Sequence, residues 1–135
     1  MKRIARFALL GLTLSSAAAI TLSSSDELAR DAALQWLQLI DAGRYEEAAS
    51  QGSQEMFSFE QWMSHVKNQR TAFGRLNRRQ FLELKRTSIV AGVPEVRRYQ
   101  TIRFKTSFER KPTATEQITI AKIGCCWEIF EYKVE

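Results

Sequence analysis

The chain has 135 residues, with 20 basic side chains, 15 acidic side chains, one histidine and two cysteines. This length fits a single domain with its own hydrophobic core. A zinc site needs three or four compactly placed ligands, so one histidine and two adjacent cysteines argue against a metal site, and no cofactor is expected.

The N-terminal segment has the layout of a secretory signal peptide. Three basic residues precede an apolar run at 7–14, and small residues then offer an A-x-A cleavage pattern. The apolar run is shorter than the roughly 20 residues of a membrane-spanning helix. We therefore predict a signal peptide at 1–19 and a single mature domain at 20–135. The mature domain is expected in the periplasm or outside the cell, without an integral membrane span.

Three helices are predicted next. Apolar residues recur at helical spacing after Ser24, which suits a helix start, and Gly43 suits the helix end. A second, short helix ends before Gly52. A third is predicted from Ser58 to Gly74, with tryptophan, valine and phenylalanine along its apolar face.

After Gly74 the pattern changes to the alternation that is typical of strands. Four strands are predicted, and their core-facing residues include Leu82, Leu84, Ile102, Phe104, Thr106, Phe108, Ile118, Ile120, Trp127 and Ile129. The opposite face is predicted to carry Phe81, Ile89, Tyr99, Phe130 and Tyr132. Helices followed by strands predict an α+β fold, in which three N-terminal helices pack on a curved four-stranded antiparallel sheet.

Several segments together resemble a family of exported bacterial proteins known as domain of unknown function 4019. They are Trp36-Leu37 followed by "DAGRYEEAA", then "FEQW", "FGRLNRRQFL", "TIRFKTSFERK", "TEQITI" and "GCCWEIFEY". The family lies within the nuclear-transport-factor-2-like, or cystatin-like, superfamily. The resemblance implies a cone in which helices fill a bent sheet, and it implies no activity. The family usually has an acidic residue and glycine where this chain has Gly124-Cys125.

Aromatic residues could line a cavity between the helices and the sheet. The candidates are Trp36, Tyr45, Trp62, Phe104 and Trp127. Their periodic placement also fits a plain hydrophobic core. Because the superfamily includes isomerases and dehydratases, a small-molecule enzyme using this cavity is the alternative function.

No catalytic residue is predicted. Asp41, Glu46 and Glu47 lie at a helix end, where exposure to solvent is normal. Glu83 and Glu116 lie in strands among basic neighbours, which indicates surface positions. The sequence therefore offers no acid and base pair for proton transfer.

Cys125 and Cys126 are adjacent at the last predicted hairpin tip. Neighbouring Cα atoms lie about 3.8 Å apart, below the usual spacing of about 4.4–6.8 Å in disulfides. Three states remain open, namely a vicinal disulfide, two thiols and an intermolecular bridge. A stabilising role is not expected, because adjacent residues close almost no loop.

Charge is unevenly distributed along the chain. Without its signal peptide the net charge falls from +5 to +2, and the basic residues concentrate in the third helix and the first two strands. Arg97, Arg98 and Arg103 are the candidate residues for binding a partner. The expected function is a non-catalytic domain that binds a protein or a small ligand. Export disfavours nucleic acid, and a homodimer through the sheet is a further prediction.

Overall fold

A computed structural model describes residues 21–53 and 59–135. The predicted signal peptide and Ser58 lie outside these residues. The elements follow in the order α1 (Ser24–Asp41), α2 (Tyr45–Ser50), α3 (Phe59–Phe73), β1 (Leu76–Thr87), β2 (Tyr99–Phe108), β3 (Lys111–Ile123) and β4 (Cys126–Val134). The α+β class, the three helices and the four strands are confirmed.

Helix α1 is the principal helix of the core. Its N-cap is Ser23, one residue before the predicted Ser24, and the Ser23 hydroxyl oxygen accepts a hydrogen bond from the Asp26 backbone N–H at 3.3 Å. The apolar face includes Trp36 and Leu37, both fully buried. After the helix, Gly43 adopts a positive φ of 73°, which glycine accepts without steric cost.

The strands form one open antiparallel sheet in the order β1-β2-β3-β4. Two short hairpin turns join β2 to β3 and β3 to β4. The helices pack on one side of the sheet, which we call the helix-facing side, and the opposite side is the outer face. The main core lies between helices and sheet and includes Trp36, Val66, Ile102, Phe104, Phe108, Ile118 and Ile120.

A smaller apolar cluster lies on the outer face. It consists of Val90, Tyr99, Ala121 and Phe130, with Val93 packed against it. The segment 88–98 between β1 and β2 supplies its two valines. The predicted outward positions of Tyr99 and Phe130 are thus confirmed.

Phe81 and Tyr132 do not lie on the outer face as predicted, because both pack with the main core. Leu82, which was predicted to face the core, is exposed. The β1–β2 register shifts between Phe81 and Glu83, and the β3–β4 register shifts between Thr119 and Ile120. Each irregularity adds a residue and reverses the alternation beyond it.

Among the described residues, no helix combines the length and the apolar character that a membrane span requires.

Candidate functional site

The five aromatic residues predicted to line a cavity are packed with the main core. Trp36 and Phe104 are buried, while Tyr45, Trp62 and Trp127 are partly buried against the same cluster. The Trp36 ring lies 5.7 Å from Trp62, and its indole N–H donates to the Ala48 carbonyl oxygen at 2.8 Å. These contacts fill the region around Trp36 with side chains.

Tyr45, one of these five, also lines a cavity formed by described residues. That cavity has a volume of about 400 Å³ and lies between the α1–α2 turn and α3. Its lining is Gly43, Arg44, Tyr45, Glu46, Glu47, Met63, Ser64 and Lys67. Both signs of charge are present, and Arg44 is paired with Glu47, so the lining does not favour one ligand charge.

Glu116 occupies the interior of the protein. It lies on β3 between Ala114 and Ile118, its side chain faces the helices, and it is 0% exposed. Four hydrogen bonds satisfy its carboxylate. Oε1 accepts from Arg79 Nε at 2.7 Å and from the Thr106 hydroxyl at 2.6 Å, while Oε2 accepts from the Tyr132 hydroxyl at 2.5 Å and from Arg79 Nη2 at 3.2 Å.

Asp41 and Arg70 complete a buried charge cluster with Arg79 and Glu116. Arg79 donates to both Asp41 oxygens, at 2.7 and 2.9 Å, and Arg70 Nη2 donates to Asp41 Oδ1 at 2.8 Å. Arg70 Nη1 lies 3.8 Å from Glu116 Oε2. Two positive and two negative charges therefore balance in a region with little solvent. Charged side chains can be buried in such a region only when they are paired and hydrogen-bonded.

The electrostatics of the buried charge cluster favour the ionised forms of Asp41, Arg70 and Arg79. Burial alone would raise the pKa of Asp41, but hydrogen bonds and charges from Arg79 and Arg70 outweigh burial and hold that pKa below its usual value. Burial opposes the charge of Arg79, yet the two carboxylates raise its pKa. Burial, followed by the Glu116 charge, raises the pKa of the Tyr132 phenol well above its usual value.

The buried charge cluster is built for structure rather than for proton transfer. A general base needs a free lone pair within hydrogen-bond reach of a substrate proton, and both Glu116 oxygens already accept two hydrogen bonds each. None of the cavities described in this section is lined by Glu116 or Asp41. The cluster joins α1, α3, β1 and β3 through charge-assisted hydrogen bonds.

The three arginines predicted to bind a partner do not form one group. Arg97 is paired with Glu95 and lies over the rings of the outer-face cluster. Arg97 and the exposed Arg98 line a shallow depression of about 620 Å³ together with Arg86. Arg103 lines a separate, smaller depression.

A third depression on the outer face contains uncompensated positive charge. It has a volume of about 300 Å³ and is lined by Arg78, Gln80, Lys105, Thr106, Ser107 and Pro112. Within residues 21–53 and 59–135, Arg78 and Lys105 form no ion pair. No acidic residue contributes to the lining.

The Sγ atoms of Cys125 and Cys126 are bonded to each other in the structure, and both residues are exposed at the β3–β4 turn. Gly124 makes the turn with a φ of 61°. His65 is exposed on α3. In the part of the chain that the structure describes, no three His, Cys, Asp or Glu side chains are grouped for a metal ion.

Sequence reasoning missed the buried charge cluster. Glu116 was predicted to lie at the surface. However, Glu116 is separated by an even number of positions from Ala114, Ile118 and Ile120 on the same strand, so its side chain shares their face. Arg70 follows Trp62 and Val66 at intervals of four, which places it on the apolar face of α3. The sequence signal for the cluster is a charged residue at a position where the repeating pattern otherwise has apolar residues.

The chain is similar in sequence to one known protein family. A family model described as protein of unknown function (DUF4019) matches residues 32–132. The match extends from α1 into β4 and includes all four charged residues of the buried charge cluster. No curated protein and no solved structure matches the chain. Because the family model covers most of the chain, the resemblance noted in the sequence is confirmed and the protein belongs to the DUF4019 family.

Proposed function

We propose that the protein is an exported, non-catalytic domain that binds an anionic partner through the outer face of its sheet. The observation that carries this proposal is the contrast between the two sides of the sheet. The helix-facing side is packed with apolar side chains and a neutral charge cluster. The outer face is open and carries Arg78 and Lys105, which have no acidic partner among the described residues.

The N-terminal segment supports export. Its basic start, short apolar run and small-residue end form the pattern of a cleaved signal peptide, so we propose a periplasmic or secreted location. The order of three helices followed by an antiparallel meander is consistent with the nuclear-transport-factor-2-like cone, which we propose as the wider fold group.

The enzyme alternative is less well supported. It requires an acid or base that faces a substrate cavity, whereas the buried carboxylate of Glu116 is held by protein donors. The aromatic residues proposed for the cavity wall pack against one another. Binding through the outer face requires no rearrangement of the buried charge cluster or of the packed aromatic residues.

A capture experiment tests the proposal. The purified protein is immobilised and exposed to a cell-envelope extract at low salt, and retained molecules are identified by mass spectrometry. We compare Lys105→Glu with Lys67→Glu. Both lysines are exposed and both changes alter net charge equally, but Lys105 lies on the outer face and Lys67 on α3.

The expected result is that a molecule retained by the unsubstituted protein is lost with Lys105→Glu and kept with Lys67→Glu. A third variant reverses Arg97, Arg98 and Arg103 and reports whether binding extends along the sheet. Equal retention by all variants would remove the outer face from the proposed function. Sedimentation velocity on the same samples tests the predicted homodimer.

A further inference from the structure

The depression between β1 and β2 on the outer face has an unusual lining. Four of its polar lining residues are Arg78 and Gln80 from β1, and Lys105 and Ser107 from β2. In the sheet register, Arg78 pairs with Ser107 and Gln80 pairs with Lys105. Residues two apart on a strand share a face, so these four side chains form two adjacent cross-strand pairs on one surface.

Every one of these four side chains can donate hydrogen bonds. Arginine offers a fork of N–H groups, lysine an ammonium, glutamine an amide NH₂ and serine a hydroxyl. No carboxylate lines the depression to compete for these donors. The arrangement therefore presents neighbouring donors and two positive charges, which is the complement of an oxyanion.

The rest of the outer face differs in its charge balance. Arg103 donates to Glu83 at 2.9 Å, and Lys85 lies 3.7 Å from the same carboxylate. Lys133 lies 3.6 Å from Glu131. These cations already have partners, whereas Arg78 and Lys105 have none in the described part of the chain. Positive charge is thus left available where Arg78 and Lys105 line the same depression on β1 and β2.

We propose that the Arg78–Lys105 depression binds a phosphoryl group of an anionic ligand. Donors stand on two strands and at successive positions along them, and the oxygens of a tetrahedral phosphoryl group point in several directions. A carboxylate has two oxygens in one plane, which a single arginine fork satisfies. This inference rests on the proposed function, because it names the chemistry that the outer face recognises.

The test is a titration of the ¹⁵N-labelled protein with inorganic phosphate, followed by amide chemical shifts. Parallel titrations use acetate and chloride at matched ionic strength, because screening alone changes surface electrostatics. The expected result is saturable shifts confined to residues 78–80 and 105–107 with phosphate, and much smaller shifts with acetate. Saturation with acetate at the same concentration would overturn the phosphoryl preference.

Substitutions assign the binding to the depression. We expect Lys105→Gln and Arg78→Gln each to weaken phosphate binding by at least about tenfold, the effect of losing one charge-assisted hydrogen bond. Arg103→Gln and Lys133→Gln remove the same charge from cations that already have acidic partners, and they should leave binding within about twofold. All variants are first compared by thermal unfolding.

Two outcomes would overturn the inference. One is an equal loss of binding in all four variants, which would indicate a diffuse ion atmosphere. The other is shifts spread over the whole basic surface. A different result would contradict the proposed function without contradicting phosphate binding. In that result phosphate binds, but retention of the partner does not depend on Lys105. Retention that depends on Lys105 without phosphate binding contradicts only the phosphoryl assignment.

Discussion

Substituting Glu116 by glutamine tests whether the buried charge cluster holds the fold together. Glutamine keeps the shape of glutamate but removes its charge. The substitution leaves Arg70 and Arg79 facing the single negative charge of Asp41, so one positive charge is uncompensated. It also places an amide NH₂ among donors such as the Tyr132 hydroxyl, which need acceptors.

The expected cost follows from the burial of Glu116 and its partners. Removing one partner of a buried ion pair costs about 3–5 kcal/mol, because the remaining charge stays desolvated. Glu116 is 0% exposed and the Arg79 side chain is 8% exposed, so solvent cannot replace the lost carboxylate. At about 4 °C per kcal/mol for a domain of this size, Tm should fall by about 12–20 °C.

Urea unfolding followed by circular dichroism measures the free energy of unfolding, and calorimetry measures Tm. The matched control is Glu83→Gln, which removes the same charge from an exposed strand position paired with Arg103. We expect that control to leave Tm almost unchanged, because exposed ion pairs contribute little.

A second substitution separates lost charge balance from lost packing. Arg70→Met in the Glu116→Gln background removes the excess positive charge and leaves Arg79 opposite Asp41. The double variant should be less destabilised than the sum of the two single variants. The reasoning is refuted if Glu116→Gln costs less than about 1 kcal/mol, or if the two single effects simply add.

Three further predictions follow from other parts of the structure. The pKa of Asp41 is held below its usual value in the folded protein, so the unfolded chain takes up the proton first and stability should fall as pH drops below about 4. Asp41→Asn should flatten this fall in urea midpoints between pH 6 and pH 3. Replacing Cys125 and Cys126 by serine should leave Tm nearly unchanged, because their bond closes almost no loop; a large fall would contradict this. Gly124→Ala should cost about 1 kcal/mol for its positive φ. Gly74→Ala should cost more, since its added Cβ would lie 3.1 Å from a neighbouring side-chain carbon, and equal costs would count against the steric argument.

Much of the architecture could be predicted because its local signals agree. The helical spacing before Gly43 and the alternation from Ile102 to Phe108 each specify one period and one buried face. Phe81 and Tyr132 were assigned to the wrong face because β-bulges depend on how strands pair. The extra residues lie in β1 and β4 themselves, but the sequence of one strand does not show which of its residues its partner leaves unpaired.

The buried charge cluster could not be derived from residue type alone. A glutamate in a strand is usually exposed, and the basic residues near Glu116 in sequence favour a surface position. Its actual partners, Arg79 and Tyr132, lie 37 and 16 positions away. Only the fold brings these groups together. The sequence pattern could predict which strand residues face the core, but it could not predict which charged side chains pair with each other.

The buried charge cluster also has a consequence for how the chain chooses among alternative folds. A slip of β3 by one residue would replace Glu116 opposite the arginines with Thr115 or Gln117 and turn the carboxylate outward. A strand whose inward-facing side chains are all apolar tolerates a slipped register when side chains of similar size can fill the same space. Two buried guanidinium groups do not, since a slipped β3 leaves the single charge of Asp41 to balance both of them. The cluster therefore penalises a slipped pairing of β3 and favours the native register of the sheet.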